Sequence, residues 1–180
     1  MSRIVIVTGP PGAGKSTVAR RLAESAIGPL AMHIHTDDHY AYIRKGFVAP
    51  WRPESQAQNK VLMEAMAASA AIYAKGGYEV YVDGIVGPWF FEPWLAAARR
   101  NAIDLRYVAL LPSEEEAVAR AVARTAADAM TDAAVVRQMW QAFQMFALSP
   151  RHVVDTTGQT PAQAVIEVSN RLQAGDFVLS

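Results

Sequence analysis

Residues 9–16 read Gly9, Pro10, Pro11, Gly12, Ala13, Gly14, Lys15 and Ser16, with Thr17 next, and they satisfy the pattern G-x-x-x-x-G-K-[ST] without a mismatch. No other stretch constrains the fold as much. Its glycines allow successive backbone N–H groups to turn inward around phosphate oxygens, a curvature that residues with side chains resist. Such a loop works only between a strand that ends at it and a helix that starts from it, because the helix's first amides and positive dipole end complete the anion site. Both flanks are present. Ile4, Val5, Ile6 and Val7 form a strand-like run, and Val18, Ala19, Leu22, Ala23 and Ala26 recur at helical spacing. One βα unit that binds phosphate is therefore specified.

The remaining chain repeats that rhythm. Apolar runs at residues 3–7, 32–35, 79–82, 105–111 and 152–154 predict strands, and longer helical patterns separate them. Near-continuous apolar strands alternating with helices predict an α/β fold with a mostly parallel sheet covered on both faces. At 180 residues and 52% hydrophobic content, one domain over residues 1–180 is expected.

Two helical stripes are expected to face the core. One runs through Val61, Leu62, Ala65, Met66, Ser69, Ile72 and Tyr73 and stops at Gly76 and Gly77; the other runs through Val135, Val136, Met139, Trp140, Phe143 and Phe146. Ser113 with Glu116, and Thr160 with Gln163, have capping-box spacing, and Pro161 occupies the first helical position. Residues 36–54 form the least regular stretch, and long loops in compact domains often carry function.

Seventeen basic and seventeen acidic side chains leave no net charge to draw the chain toward nucleic acid or anionic membrane. A small-molecule ligand in a local pocket fits better, with the protein a monomer or homodimer. The absence of cysteine excludes disulfides and thiolate chemistry. With neither a signal-peptide pattern nor a membrane-length apolar run, the expected location is the cytoplasm.

Around the loop, Lys15 is expected to reach the β and γ phosphates of ATP, and the Ser16 hydroxyl to ligate Mg²⁺. Asp37 and Asp38 follow the second predicted strand, and ligands of parallel α/β sheets lie beyond the carboxyl ends of the strands. Either could take the proton of an attacking hydroxyl or help hold the metal, with the other capping a helix that starts near His39; Asp37 is favoured as the base. Asp83 closes the third strand at the position of a Walker-B carboxylate, or forms a turn with Gly84. Arg120 and Arg124 share a helical face and Arg137 follows on the next helix. These arginines could close over the transferred phosphoryl group, unless Glu116 pairs with Arg120 on a solvated face.

These elements together resemble the small P-loop kinases: shikimate and gluconate kinases, chloramphenicol phosphotransferase, and nucleoside monophosphate kinases of the adenylate and cytidylate type. The resemblance implies a five-stranded parallel sheet of order 2-3-1-4-5, and a helical lid at residues 114–131 that brings Arg120 and Arg124 to ATP. It also implies that the loop after strand five meets the adenine through Gly158 and Gln159. Shikimate and gluconate kinases often show two aspartates separated by one residue after strand two; here His35 stands first and Asp37 second. The Asp83-Gly84-Ile85-Val86-Gly87-Pro88 segment is similar to the Asp-Gly-Phe-Pro-Arg segment of adenylate kinases, with Trp89 in place of the arginine. Arg44 and Arg52 stand in the irregular loop as substitutes.

His39, Tyr40, Tyr42, Arg44, Trp51 and Arg52, together with Trp89 and Phe90, would give an acceptor pocket with aromatic walls and one or two cations. Phe91 and Trp94 are expected to pack on the core instead. Such a pocket suits a ring-bearing or acidic alcohol, with Asp37, Asp38, Arg44, Arg52 and Trp89 as substrate contacts. The expected reaction is transfer of the ATP γ-phosphate to a small-molecule hydroxyl. Its rivals are a nucleoside monophosphate kinase and a nucleotide-dependent switch.

Overall fold

The computed structural model describes residues 2–125, 130–145 and 148–180. Five parallel strands form one sheet in the order β2-β3-β1-β4-β5: β1 (Arg3–Thr8), β2 (Ala31–His35), β3 (Glu79–Asp83), β4 (Asp104–Leu110) and β5 (Val153–Val154). This is the expected strand order. The helices are α1 (Lys15–Glu24), α2 (Thr36–Ala41), α3 (Gln56–Lys75), α4 (Phe91–Asn101), α5 (Glu114–Val122), α6 (Ala133–Met145) and α7 (Pro161–Gln173).

Strand periodicity divides the core into two layers. Ile4 and Ile6 of β1 point to one face, where Met63 and Met66 of α3 and Trp94 of α4 cover them. Val5 and Val7 point to the other, against Val18 and Leu22 of α1 and Val168 of α7. Trp94 is fully buried and Phe91 meets Tyr107 edge-on at 4.7 Å, so both pack on the core as expected. Register aligns the carboxyl ends of the three strands that matter most: Val7 lies opposite Asp83, and His35 opposite Asp83 from the other side. The phosphate-loop candidate, the Asp37 segment and Asp83 therefore emerge on one edge.

Several local expectations need correction. In α3 the buried face is Asn59, Met63, Met66, Ala67, Ala70, Ala71 and Ala74, whereas Val61 and Ile72 are 65% and 70% exposed. Alanines lie against the sheet and α4 because a small side chain lets a helix approach closely, and that choice rotates the larger apolar residues outward. In α6, Val136 and Phe143 are buried, but Val135 and Met139 line a cleft; Phe146 lies outside the described residues. Neither Asp37 nor Asp38 caps a helix starting near His39. Helix α2 already starts at Thr36, with His35 at its N-cap and Asp37 and Asp38 in its first turn, where negative charge suits the dipole.

The predicted capping box at Thr160 is complete, with Pro161 in the first turn. At Ser113 only half of the box forms. Its hydroxyl accepts from the Glu116 amide at 3.3 Å, while the Glu116 carboxylate turns to Arg120 and to the Gly158 amide instead. Outside β5, residues near the end of the chain run back along β4. Val178 bridges Arg106 in antiparallel sense, Tyr107 N–H donates to the Phe177 carbonyl at 2.9 Å, and Leu179 N–H donates to the Leu105 carbonyl at 2.9 Å. Among the described residues, no helix is long and apolar enough to cross a membrane.

Candidate functional site

The loop from Gly9 to Gly14 leaves β1 and delivers Lys15 as the first residue of α1. Gly12 adopts φ 82° and lies so close to α5 that a Cβ there would drive into the Ala117 carbonyl. Only glycine fits both demands. Lys15 folds back over the loop and donates from Nζ to the Pro10 carbonyl at 3.0 Å. Burial pushes its pKa down to about 8, against the opposing pull of Asp83 and Asp37.

Beneath the loop, Ser16 donates to Asp83 Oδ2 at 2.6 Å. Asp83 is fully buried and also meets two imidazoles from β2: His33 Nε2 at 2.5 Å and His35 Nδ1 at 3.1 Å. Burial works to raise its pKa, but the hydrogen bonds from His33, His35 and Ser16 outweigh this and hold Asp83 well below the usual carboxylate range. The hydrogen bond to Asp83 in turn raises the pKa of His35. His33 was not singled out in the sequence. The available signal was its place two residues before His35, which puts both rings on one face of β2, beside β3.

The donor set of Ser16 and Asp83 fits magnesium. Both offer hard oxygen ligands, and the Ser16 proton already points at Asp83, so the hydroxyl lone pairs remain for an ion. Among the described residues, no group of three or more histidine, aspartate or glutamate side chains is arranged to hold a metal. Nucleotide phosphates and water would supply the other ligands, as magnesium at phosphate sites usually requires.

Asp37 and Asp38, adjacent in sequence, part company in space. Asp37 lines a cleft of about 2060 Å³ together with Lys15, Pro11, Arg52, Trp89 and Arg124. Asp38 lines a separate, smaller hollow with Ser16, Thr17, His33 and His35. Gly84 sits between strand β3 and this segment; a Cβ there would collide with the Thr36 side chain, so the start of α2 is fitted against it. Arg44 is exposed on the same loop and is not among the described residues that line the cleft.

Arg120 and Arg124, predicted together, separate as well. The Arg120 guanidinium pairs with Glu116 and reaches the carbonyls of Thr156 at 3.3 Å and Gln159 at 3.2 Å. It clips α5 to the loop after β5, where Gly158 and Gln159 lie. In that loop Thr156 Oγ1 and Gln159 Oε1 are buried without a hydrogen-bond partner. Arg124 stands on the cleft wall and adds a little to the lowering of the Lys15 pKa that burial causes. Arg137 pairs with Glu114 at 3.6 Å. Of the predicted lid, residues 114–122 form α5, while 126–129 lie outside the described residues.

A family model described as AAA domain, AAA_33, matches residues 4–146. The chain belongs to the AAA_33 family. No curated protein matches the sequence. Among solved structures, this AAA_33 chain is similar to an unliganded sugar kinase from Janibacter sp. HTCC2649, with 17% identity, TM-score 0.70, and 96% and 95% of the two chains covered. It is similar to a gluconokinase from Sinorhizobium meliloti 1021, with 17% identity, TM-score 0.67, and coverage of 96% and 93%. The Mycobacterium tuberculosis APS kinase CysC, in complex with AMPPNP and APS, gives 18% identity, TM-score 0.65, and coverage of 96% and 98%. At these identities the AAA_33 chain shares with them the P-loop kinase fold.

Proposed function

We propose that this protein transfers the γ-phosphate of ATP to a hydroxyl of a small molecule. One observation carries the reading: Lys15 of the phosphate loop and the carboxylate of Asp37 lie on the wall of the same cleft. A donor group and a base thus face a common space, the arrangement that in-line transfer needs. The neighbouring kinases, one of them holding AMPPNP, support the choice of ATP as donor.

In this reading the loop amides and Lys15 hold the β and γ phosphates, and Arg124 neutralises charge gathering on the phosphoryl group as it moves. Asp37 accepts the acceptor hydroxyl's proton at a carboxylate oxygen. The acceptor oxygen bonds to the γ-phosphorus while the bond from that phosphorus to the bridging oxygen breaks, and ADP leaves. Ser16 and Asp83 would hold magnesium, which when bound offsets the negative charge of the β and γ phosphates. His33 and His35 position the Asp83 carboxylate. Gly158 and Gln159 meet the adenine.

The test is a panel of alcohols and nucleotides incubated with ATP and Mg²⁺, with products read by mass spectrometry. We expect a phosphorylated alcohol from the native protein. Lys15→Ala should abolish it, along with most of the ATP affinity. A nucleoside monophosphate as the sole productive acceptor, or unchanged ATP affinity and turnover in Lys15→Ala, would overturn the reading.

A further inference from the structure

The walls of the cleft carry a more specific message about the acceptor. Phe47, Trp51 and Trp89 all line it, and they are 51%, 49% and 42% exposed. Leaving three large aromatic faces half in water within one concavity forgoes the stabilisation that burial would give each of them. Phe90, Val135 and Met139 extend the same apolar lining toward α6. Trp89 is not a loose side chain, since its indole rests against Gly87 so closely that a Cβ there would overlap it.

Three polar side chains of the cleft, Tyr40, Ser55 and Asn59, are committed to structure. Tyr40 donates its hydroxyl proton to Asn59 Oδ1 at 3.1 Å, Asn59 Nδ2 donates to the Pro50 carbonyl at 2.8 Å and to Ser55 Oγ at 2.9 Å, and Ser55 donates to the Pro50 carbonyl at 2.8 Å. That network pins the irregular loop to α3. It leaves these groups committed to one another rather than aimed at the hydroxyls of a polyol, which a sugar-specific site would have to satisfy one by one.

Charge does not select an acid either. Besides Lys15, the cations lining the cleft are Arg52, Lys60, Arg100 and Arg124; facing them are Asp37, Glu64, Glu92 and Asp132, four of each. All four cations are exposed, so none is the half-buried guanidinium that bidentate capture of a carboxylate favours. The cleft is also about twice the upper size of a usual small-ligand pocket, at about 2060 Å³.

We infer that the acceptor is a bulky, uncharged, ring-bearing alcohol whose apolar body lies on Phe47, Trp51 and Trp89 while its hydroxyl reaches Asp37. The inference rests on the proposed kinase reading for where the hydroxyl goes, but its first readout is binding alone. Calorimetric titration of the protein saturated with AMPPNP and Mg²⁺ would compare 2-(2-naphthyl)ethanol with glucose and gluconate. The naphthyl alcohol should bind at least about tenfold more tightly than either polyol, and Phe47→Ala and Trp51→Ala should each weaken it by about tenfold without changing AMPPNP affinity. Because both residues are half-exposed, their thermal unfolding should match the native protein. Equal or tighter binding of glucose or gluconate would overturn the inference, as would naphthyl affinity indifferent to both substitutions. Mass spectrometry of the same mixtures with ATP separates the two claims. Selective aryl binding with no phosphorylated alcohol anywhere in the panel supports the pocket preference and defeats the kinase reading; gluconate phosphorylated in preference to the aryl alcohol does the reverse.

Discussion

Asp37 and Asp38 offer a test at the level of one carboxylate against its neighbour, because the fold turns one toward Lys15 and the cleft and the other toward Thr17 and His33. Asp37→Asn should lower kcat by about 10²–10⁴-fold with little change in ATP affinity, and Asp38→Asn should leave kcat within a small factor of native. Steady-state kinetics on the alcohol identified by the panel would read both. A comparable loss in the two variants would remove Asp37 from the role of base. The phosphate loop was legible because each residue answers a local demand of backbone curvature or charge. The divergence of Asp37 from Asp38 was not, because it depends on how α2 leaves β2. His33 was within reach, since strand periodicity and the expected adjacency of strands two and three place it near Asp83. Its contact with Asp83 follows only from the register that sets β2 beside β3.

Helix α3 shows where apolar periodicity misleads. Its large side chains predict one face, yet beside Met63 and Met66 the buried face is mostly alanine, with Val61 and Ile72 turned outward. Hydrophobicity ranks Ile72 above Ala70, whereas close packing against α4 and the sheet rewards small volume. Ala70→Leu is therefore expected to cost about 1–3 kcal/mol by overpacking, and Ile72→Glu to stay within about 0.5 kcal/mol of native, both read by urea unfolding. The starting ends of β1 and β4 carry a different kind of information. Asp104 receives Arg106 Nε at 2.6 Å and Arg3 Nε at 3.0 Å. Burial tends to raise its pKa, but the hydrogen bonds from Arg106 and Arg3 prevail and lower it. A carboxylate whose folded pKa is depressed adds stability that is present above its unfolded value, roughly 3.9, and is lost as pH falls through the folded value. Unfolding curves should thus show native and Asp104→Asn proteins converging in stability as pH drops below about 4. A difference that persisted undiminished to lower pH would contradict this account.

Across the whole molecule, nucleotide binding should couple to unfolding. At a concentration one hundred times its Kd, AMPPNP with Mg²⁺ is expected to add about 2.7 kcal/mol, which for a chain of this size raises Tm by about 5–10 °C. Lys15→Ala should abolish most of that rise in a calorimetric scan. The sheet order was legible as a whole because five apolar runs, one phosphate loop and the family resemblance all pointed the same way. The closing of its outer edge was not, since β5 is only two residues long and meets only the last residues of β4 and Leu111. The lower half of β4 is covered instead by residues 177–179, held by the Phe177 carbonyl, the Leu179 amide and the Arg171 guanidinium 4.3 Å over the Phe177 ring.

That arrangement gives the order of synthesis a role. The cover for β4 emerges from the ribosome after every strand of the sheet, so a nascent chain that has already assembled its five strands still offers an open row of amides and carbonyls to its neighbours. Removing residues 175–180 would prolong that interval indefinitely. Its signature would be concentration-dependent self-association seen by light scattering, from a protein that still binds AMPPNP.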